Sequence, residues 1–114
     1  VYAYLMKQRH IDRDIITHFA RAGTLYEDAE YHNAVFVGTD EHSVPRHAQK
    51  RSTNSCGRAI KLNVEGSEAR YSFHHLGDDG DLYVFEAPID LLSYLTLHPE
   101  NWQHHSCGLL RHQL

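Results

Sequence analysis

The stretch "LYVFEAPIDLLSYL", residues 82–95, combines the signals of a strand, a tight turn and a helix. Its first four residues are all apolar, which predicts a strand buried on both faces, the usual state in a parallel sheet. Pro88 suits the first turn of a helix, and apolar side chains then recur at helical spacing at Ile89, Leu92 and Leu95. The sequence therefore predicts a strand–turn–helix unit whose helix covers the sheet.

Two carboxylates stand at the junction between this strand and this helix. Glu86 directly follows the strand, and Asp90 falls in the first turn of the helix. Ligands gather beyond the carboxyl ends of parallel strands, and two neighbouring carboxylates are stable together when a cation neutralises them. Mg²⁺ prefers one or two carboxylates with water and phosphate oxygens, so the pair predicts a magnesium site for phosphoryl chemistry. The alternative is structural: Asp90 stabilises the helix N-terminus and Glu86 is solvated.

The first part of the chain carries helical signals. Two helices joined by a turn around His10 are predicted for residues 2–22, and Gly23 suits the position after the second helix. Ile11 and Ile16 are placed as a hydrophobic staple at the start of that helix. A DNA-reading helix-turn-helix is the alternative to plain packing, but the second helix is not notably basic.

A β-rich part follows the two helices. Short runs at 24–28, 33–40 and 43–52 predict an antiparallel meander, and residues 52–69 predict a loop with little regular structure. "RYSFHHLG", residues 70–77, predicts a further strand, which the turn "GDDGD" closes. The predicted fold class is therefore α+β: two N-terminal helices, an antiparallel meander, and the start of an α/β unit.

Composition excludes several classes of protein. A formal net charge of −4 argues against a generally basic nucleic-acid coat, so any DNA or RNA contact must be local or metal-assisted. Cys56 and Cys107 form neither a metal-ligand spacing nor a dense disulfide framework, which favours a reducing cytoplasm. No segment approaches the ~20 apolar residues that cross a bilayer, so we expect no membrane partner.

The eleven histidines raise the question of a zinc site, since two pairs are adjacent in sequence, at 74–75 and 104–105. Adjacent residues of a strand point to opposite faces, so such a pair rarely supplies two ligands to one ion. Neither paired cysteines nor a helical His-x-x-x-His arrangement supports them. We therefore expect no specific zinc site, while weak transition-metal binding stays open.

These segments together resemble a known family. "LYVFEAPIDLLSYL" resembles the first motif of the Toprim domain of topoisomerases and bacterial DnaG-type primases, in which a strand ends in glutamate and an aspartate follows four residues later. "HNAVFVGTDEHSVPRHAQKRS" and "SEARYSFHHLG" resemble the primase core just before Toprim. The opening helices with "LYEDAEYHNAVFVGTD" are similar to the domain of unknown function that precedes Toprim in proteins of bacterial conjugative and mobile elements. The resemblance implies a primase-core-like domain at 1–70 and a partial Toprim domain at 71–114.

The resemblance also implies roles for individual residues. Glu86 matches the Toprim glutamate, a catalytic residue that acts as metal ligand or general acid/base, and Asp90 matches the accompanying acidic ligand of Mg²⁺. Side chains that point the same way off a strand can clamp a phosphate backbone, and arginine offers bidentate bonds. The alternative is a solvated basic face. Four residues fall in segments that face nucleic acid or nucleotide phosphates in primases: Arg46, Lys50, Arg51 and Arg70.

The tail "HHSCGLLRHQL" departs from the family pattern, in which a buried strand leads to glycine and a later strand ends in paired aspartates. Removing two nucleotides from one encoding of the family's continuation yields residues 106–113, so we hypothesise a frameshift that truncates a longer protein inside Toprim. The second parallel strand is then expected to be weak at best. A homo-oligomer or the missing Toprim segment would cover the open sheet edge.

Two functions follow as expectations. The first is a fragment, inactive as it stands, of a primase- or topoisomerase-like protein of a mobile element that processes nucleic acid. Its parent would be a Mg²⁺-dependent nucleotidyl transferase or a phosphodiester-processing enzyme. The alternative is a module that binds DNA, RNA or a partner without turnover.

Overall fold

The computed structural model describes residues 3–29, 32–52, 61–63 and 71–110, and at 61–63 it describes the backbone only. These parts contain two α-helices and six strands, which confirms the predicted α+β class. A π-helical turn at Tyr4–Gln8 precedes the first helix, and a 3₁₀ turn at Trp102–His104 precedes the last strand. In chain order the elements are α1 (Arg13–Ala22), β1 (Leu25–Glu27), β2 (Ala34–Thr39), β3 (Pro45–Arg51), β4 (Lys61–Asn63), β5 (Leu82–Phe85), α2 (Pro88–Thr96) and β6 (Ser106–Leu109).

The N-terminal helical pair forms as predicted. His10 adopts the left-handed conformation, with φ of 59°, at the turn between the π-helical turn and α1. Gly23 ends α1 with φ of 79°, and its N–H donates to the carbonyl oxygen of Ala20. Ile11 and Ile16, the predicted staple residues, are both buried in the core. A local signal, the glycine after the helix, therefore decides where α1 ends.

The predicted meander is also confirmed, because the larger sheet has the order β1-β2-β3-β4 with antiparallel neighbours throughout. β4 was not predicted and lies within 52–69, which the sequence assigns to a loop. This short strand pairs with β3 through Gln49↔Asn63 and Arg51↔Lys61. β4 is extended because it pairs with β3. Three residues are too few to show a periodic pattern, so the sequence alone does not predict this strand.

The strand predicted at 70–77 is wrong for the residues that the structure describes there. Residues 71–77 form no extended strand and make one antiparallel bridge, His75↔Cys107. A Cβ atom at Gly38 of β2 would lie 1.6 Å from the carbonyl oxygen of Tyr71. The segment therefore crosses close over β2 at a glycine, where only the absence of a side chain permits the approach.

β5 and α2 form the predicted strand–turn–helix unit, and β6 follows as a second strand of the same sheet. β5 and β6 pair in parallel, with Leu82↔Ser106 and Phe85↔Leu109 at the ends of the ladder. β6 pairs with β5 over all four of its residues, so a second parallel strand is present, while the expectation that it would be weak stays a prediction. Arg111 and His112, on which that expectation rested, lie outside the described residues.

The predicted burial of β5 on both faces is also wrong. Tyr83 and Phe85 are partly buried and pack against the core that contains α2, whereas Leu82 and Val84 are exposed. Tyr94 of α2 lies against both partly buried rings, with ring centroids 5.1 and 5.2 Å away. The physical reason is that α2 covers one face of this sheet, and alternate side chains of a strand point to opposite faces.

One hydrophobic core joins the two sheets. Phe73 is fully buried, and its ring lies 4.9 Å from that of Phe19 and 5.2 Å from that of Phe36. The same core contains Leu92 of α2 and Cys107 of β6. Residues on both sides of position 70 therefore pack together, and the division into units at 1–70 and 71–114 stays a prediction.

Candidate functional site

The two predicted carboxylates lie at the junction of β5 and α2. Glu86 directly follows β5 and is exposed, and extended Ala87 (φ −143°, ψ 155°) forms the N-cap of α2. Pro88 occupies the start of the helix, and Asp90 is exposed in its first turn. The predicted placement at the carboxyl end of a parallel strand is confirmed, while the chemical role of the pair stays a prediction.

Hydrogen bonds hold the backbone on both sides of this junction. The Leu110 N–H donates to the Phe85 carbonyl at 2.8 Å, at the end of the β5–β6 ladder. The Leu91 N–H donates to the Ala87 carbonyl at 3.2 Å, within the first turn of α2. Asp90 also lies where a negative charge stabilises the partial positive charge of a helix N-terminus, so the structural alternative fits the same geometry.

The predicted donor set at this junction consists of two carboxylates. Among the residues that the structure describes, no group of three or more His, Cys, Asp or Glu side chains could hold a metal ion. Glu86 and Asp90 alone do not make an all-protein cage. Mg²⁺ is the ion that needs so few protein ligands, because it keeps several waters and completes its coordination with substrate phosphates, and its binding at this junction stays a prediction.

Arg46, the first of the predicted phosphate-binding residues, is held by an acidic partner. Its Nε lies 2.9 Å from Oδ2 of Asp40 in the turn between β2 and β3. The Arg46 hydrogen bond, followed by backbone N–H groups of Val44 and His42, lowers the pKa of Asp40 to about 2. Any phosphate that binds Arg46 must therefore compete with, or join, an existing ion pair.

Lys50 and Arg51 are likewise engaged within the chain. Lys50 Nζ lies 3.5 Å from Oδ2 of Asp28, and Arg51 Nε donates to the Tyr4 hydroxyl at 3.4 Å. Burial opposes ionisation of Tyr4, but hydrogen bonds from Arg9 and Arg51 outweigh it and lower its pKa. Through these contacts Lys50 and Arg51 also connect β3 to other parts of the fold.

The basic residues do not point in one direction, as the clamp hypothesis requires. Lys50 and Arg51 are adjacent in β3 and so point to opposite faces of the sheet. Arg46 lies where the register of β2 and β3 shifts, between the pairs Gly38↔His47 and Thr39↔Pro45. The prediction that these basic side chains all point the same way is therefore wrong for β3. Nucleic-acid contact by single residues stays a prediction. Arg70 lies outside the described residues.

Aspartate–histidine contacts that sequence reasoning missed join the turn after residue 77 to the start of β6. The His104 Nδ1 lies 2.7 Å from Oδ1 of Asp78, and the His104 carbonyl accepts the N–H groups of Asp78 and Asp79 at 3.0 Å. His105 Nδ1 lies 2.9 Å from the Tyr94 hydroxyl. The runs of acidic residues and histidines are visible in the sequence, but nothing in their spacing shows that they meet.

The other histidine pair diverges. His74 Nδ1 lies 2.9 Å from the Ser72 carbonyl oxygen, whereas His75 Nε2 lies 3.2 Å from the Gln103 carbonyl oxygen. Burial is the main cause that lowers the pKa of His75, and the charges of neighbouring histidines act in the same direction. Two adjacent rings with separate carbonyl partners do not converge on one ion.

An open groove of about 370 Å³ lies on the outer side of α1, against the 3₁₀ turn. It contains neither of the carboxylates at the β5–α2 junction and none of the predicted basic residues. Cationic, acidic and amide groups line it together, so no single ligand charge is favoured. Its lining residues are Asp14, Thr17, His18, Arg21, Trp102 and Gln103.

Comparison with known proteins gives two matches. Residues 3–79 match the sequence profile of the family described as "Protein of unknown function (DUF3991)". The uncharacterized protein pXO2-78 of Bacillus anthracis is 31% identical over 110 residues, which cover 86% of this chain and 30% of that relative. The chain thus spans less than a third of the length of this curated relative. No solved structure matches this chain. β5, α2 and β6 lie after the last residue of the family match.

Proposed function

The chain belongs to the DUF3991 family of proteins of unknown function, and from this premise we propose that it is part of a longer nucleic-acid-processing protein of a bacterial mobile element. The longer protein would resemble primases or topoisomerases and contain a Toprim domain, of which residues 71–114 form the beginning. We further propose that it acts in the cytoplasm. The likeness of "LYVFEAPIDLLSYL" to the first Toprim motif supports this proposal.

One observation carries the proposal: an exposed glutamate stands at the carboxyl end of a parallel strand, and an exposed aspartate follows in the next helical turn. This end of a parallel sheet is where ligands of α/β proteins bind. The position of Glu86 at this end of the sheet, with Asp90 in the next helical turn, supports a role in binding a cation that a phosphate-bearing ligand would share.

In the proposed site Glu86 and Asp90 hold Mg²⁺ through their carboxylates. Mg²⁺ supplies charge neutralisation for phosphate oxygens and orients the ligand that it shares with the protein. Two carboxylates leave most coordination positions to water and phosphate. We therefore propose that this chain by itself binds the ion weakly and does not turn over substrate, and that the longer protein supplies the remaining ligands.

A second candidate is a binding module without catalysis. It is favoured by the observation that the described residues bring no third metal ligand to Glu86 and Asp90. In this case the β3 residues Arg46 and Lys50 would contact nucleic acid, exchanging their present carboxylate partners for phosphates. The site at the β5–α2 junction would then be structural.

A Mg²⁺ titration followed by NMR tests the first proposal. The expected result is saturable shifts at Glu86 and Asp90 with an affinity on the order of millimolar, typical of a site with few protein ligands. Glu86→Gln should abolish these shifts, because it removes one of two charges. Glu41→Gln is the matched control, since Glu41 is an exposed glutamate in the turn between β2 and β3. Shifts of equal size in the Glu86→Gln and Glu41→Gln variants would overturn the metal site.

Binding to a fluorescent single-stranded DNA at two salt concentrations tests the second candidate. Arg46→Ala combined with Lys50→Ala should weaken binding and reduce its salt dependence, because each lost phosphate contact releases one fewer counterion. Arg21→Ala on α1 is the control and should leave both quantities unchanged. Equal weakening by the control would show that only overall charge is sensed and would refute a specific β3 contact.

A further inference from the structure

The outer side of α1 carries a stripe of polar side chains. Positions 14, 17, 18 and 21 follow one another at spacings of three, one and three residues, which places them on one face of the helix, opposite the face that is buried in the core. Asp14, His18 and Arg21 are exposed. The stripe borders the open groove, and the 3₁₀ turn borders it on the other side. The outer stripe of α1 consists of Asp14, Thr17, His18 and Arg21.

The two full charges of this stripe have opposite signs and stand at its two ends. Asp14 lies in the first turn of α1 and Arg21 in the last, so seven residues, or about 10 Å along the helix axis, separate them. Within the described residues neither the carboxylate nor the guanidinium has an ion-pair partner. Arg46 and Lys50 of β3, by contrast, are each held by an aspartate. The charges of the outer stripe are therefore available to a partner.

The outer stripe is complementary to a second copy of itself. A two-fold axis that crosses α1 midway between residues 17 and 18 makes two such helices antiparallel and sets position 14 of each copy opposite position 21 of the other. Every contact of a two-fold interface occurs twice, so this one arrangement forms two Asp14–Arg21 ion pairs. Antiparallel helices also bring opposite ends of their dipoles together. A stripe with one acid and one base has no net charge, so it favours its own kind over a strongly charged partner such as nucleic acid.

We propose that the outer stripe of α1 is an interaction surface between two copies of this chain, which pack their α1 helices antiparallel with Asp14 of each copy paired to Arg21 of the other. The groove beside the stripe, of about 370 Å³, gives side chains of the second helix a concave surface to pack into. This surface does not include the β5–α2 junction, and the inference does not depend on metal or nucleic-acid binding.

The size of the contact sets the expected affinity. α1 has ten residues and is about 15 Å long, so the two helices meet over less than three turns. Such a contact is smaller than the ~800 Å² that each partner of a standard interface buries. We expect a weak, reversible dimer with a Kd on the order of 100 µM. DNA titrations at lower protein concentrations follow the monomer, so Arg21→Ala remains a valid control there.

Sedimentation equilibrium with charge reversal tests this interface. The wild type should change from monomer to dimer between about 10 µM and about 1 mM. Asp14→Arg and Arg21→Asp should each weaken self-association at least about tenfold, because each turns both ion pairs into like-charge contacts. An equimolar mixture of the two variants should associate like the wild type, since a basic stripe then faces an acidic one. Glu41→Arg, in the turn between β2 and β3, changes the net charge as Asp14→Arg does and should leave association unchanged.

The mixture separates the interface from a purely local role of the two charges. Each charge also has the sign that stabilises its own end of α1, so a reversal can weaken the helix, but mixing does not repair a weakened helix. Failure of the mixture to associate would therefore overturn the proposal. A wild type that stays monomeric at about 1 mM would overturn it too, as would a dimer that survives both reversals. Circular dichroism checks that every variant is folded, and Asp14→Lys with Arg21→Glu repeats the exchange if one is not.

Discussion

Gly38→Ala should be strongly destabilising, although it adds a single methyl group. The new Cβ would lie 1.6 Å from the Tyr71 carbonyl oxygen, 2.4 Å from the carbonyl carbon of Ser72 and 2.6 Å from that of Tyr71. All three contacts are with main-chain atoms, so no side-chain rotation relieves them. Either β2 or the crossing segment must move by more than an ångström.

The expected loss of stability can be estimated from the side chains of the crossing segment, residues 71–77. Overpacking a filled site costs about 1–3 kcal/mol, and full loss of a buried phenylalanine about 3–5 kcal/mol. Phe73 lies two residues after Tyr71 and packs between Phe19 and Phe36, so displacement of the segment disturbs both sheets. We expect a loss of about 3–5 kcal/mol in the free energy of unfolding. At about 4 °C per kcal/mol for a chain of this size, the thermal midpoint should fall by about 12–20 °C.

Urea and thermal unfolding followed by circular dichroism measure this loss. Gly108→Ala is the matched control, because its Cβ would meet only the Leu82 side chain, at an ordinary contact distance of 3.9 Å. The control should change stability by less than about 1 kcal/mol. Equal midpoints for the two variants would refute the close crossing at Gly38. Two separate transitions in Gly38→Ala would show that the sheets unfold independently and would support a domain boundary near residue 70.

Two further predictions concern proton binding. Burial lowers the pKa of His47, whose Nδ1 has no hydrogen-bond partner among the described residues. As the pH falls through about 6.5, the His47 imidazole binds a proton in the unfolded chain more readily than in the folded protein. The free energy of unfolding should therefore decrease as the pH drops through that value. Urea midpoints at about pH 7.5 and 5.5 should differ less in His47→Leu than in the wild type, and an unchanged difference would exclude His47 as a contributor. Arg46→Ala should raise the pKa of Asp40 from about 2 toward its ordinary 3.8. A carboxyl NMR titration measures this shift, and a value that stays near 2 would show that the backbone N–H groups alone hold the charge.

The sequence by itself determined the parts of the fold whose signals are local. The turn around His10, the end of α1 at Gly23 and the start of α2 at Pro88 all follow from signals carried by a few neighbouring residues, although the left-handed conformation of His10 was not predicted. The position of Glu86 follows in the same way, because an apolar run defines where β5 ends. These features depend on neighbours in the chain, which the sequence shows directly.

Only the tertiary structure decided features that depend on partners far away in the chain. β4 is a strand because β3 lies beside it, and the described residues after position 70 approach β2 closely because Gly38 has no side chain. A run of apolar residues such as β5 shows that burial is favourable, but it does not show how many faces are covered. Coverage depends on which elements are present to pack against the sheet, and here α2 covers one face and leaves Leu82 and Val84 exposed.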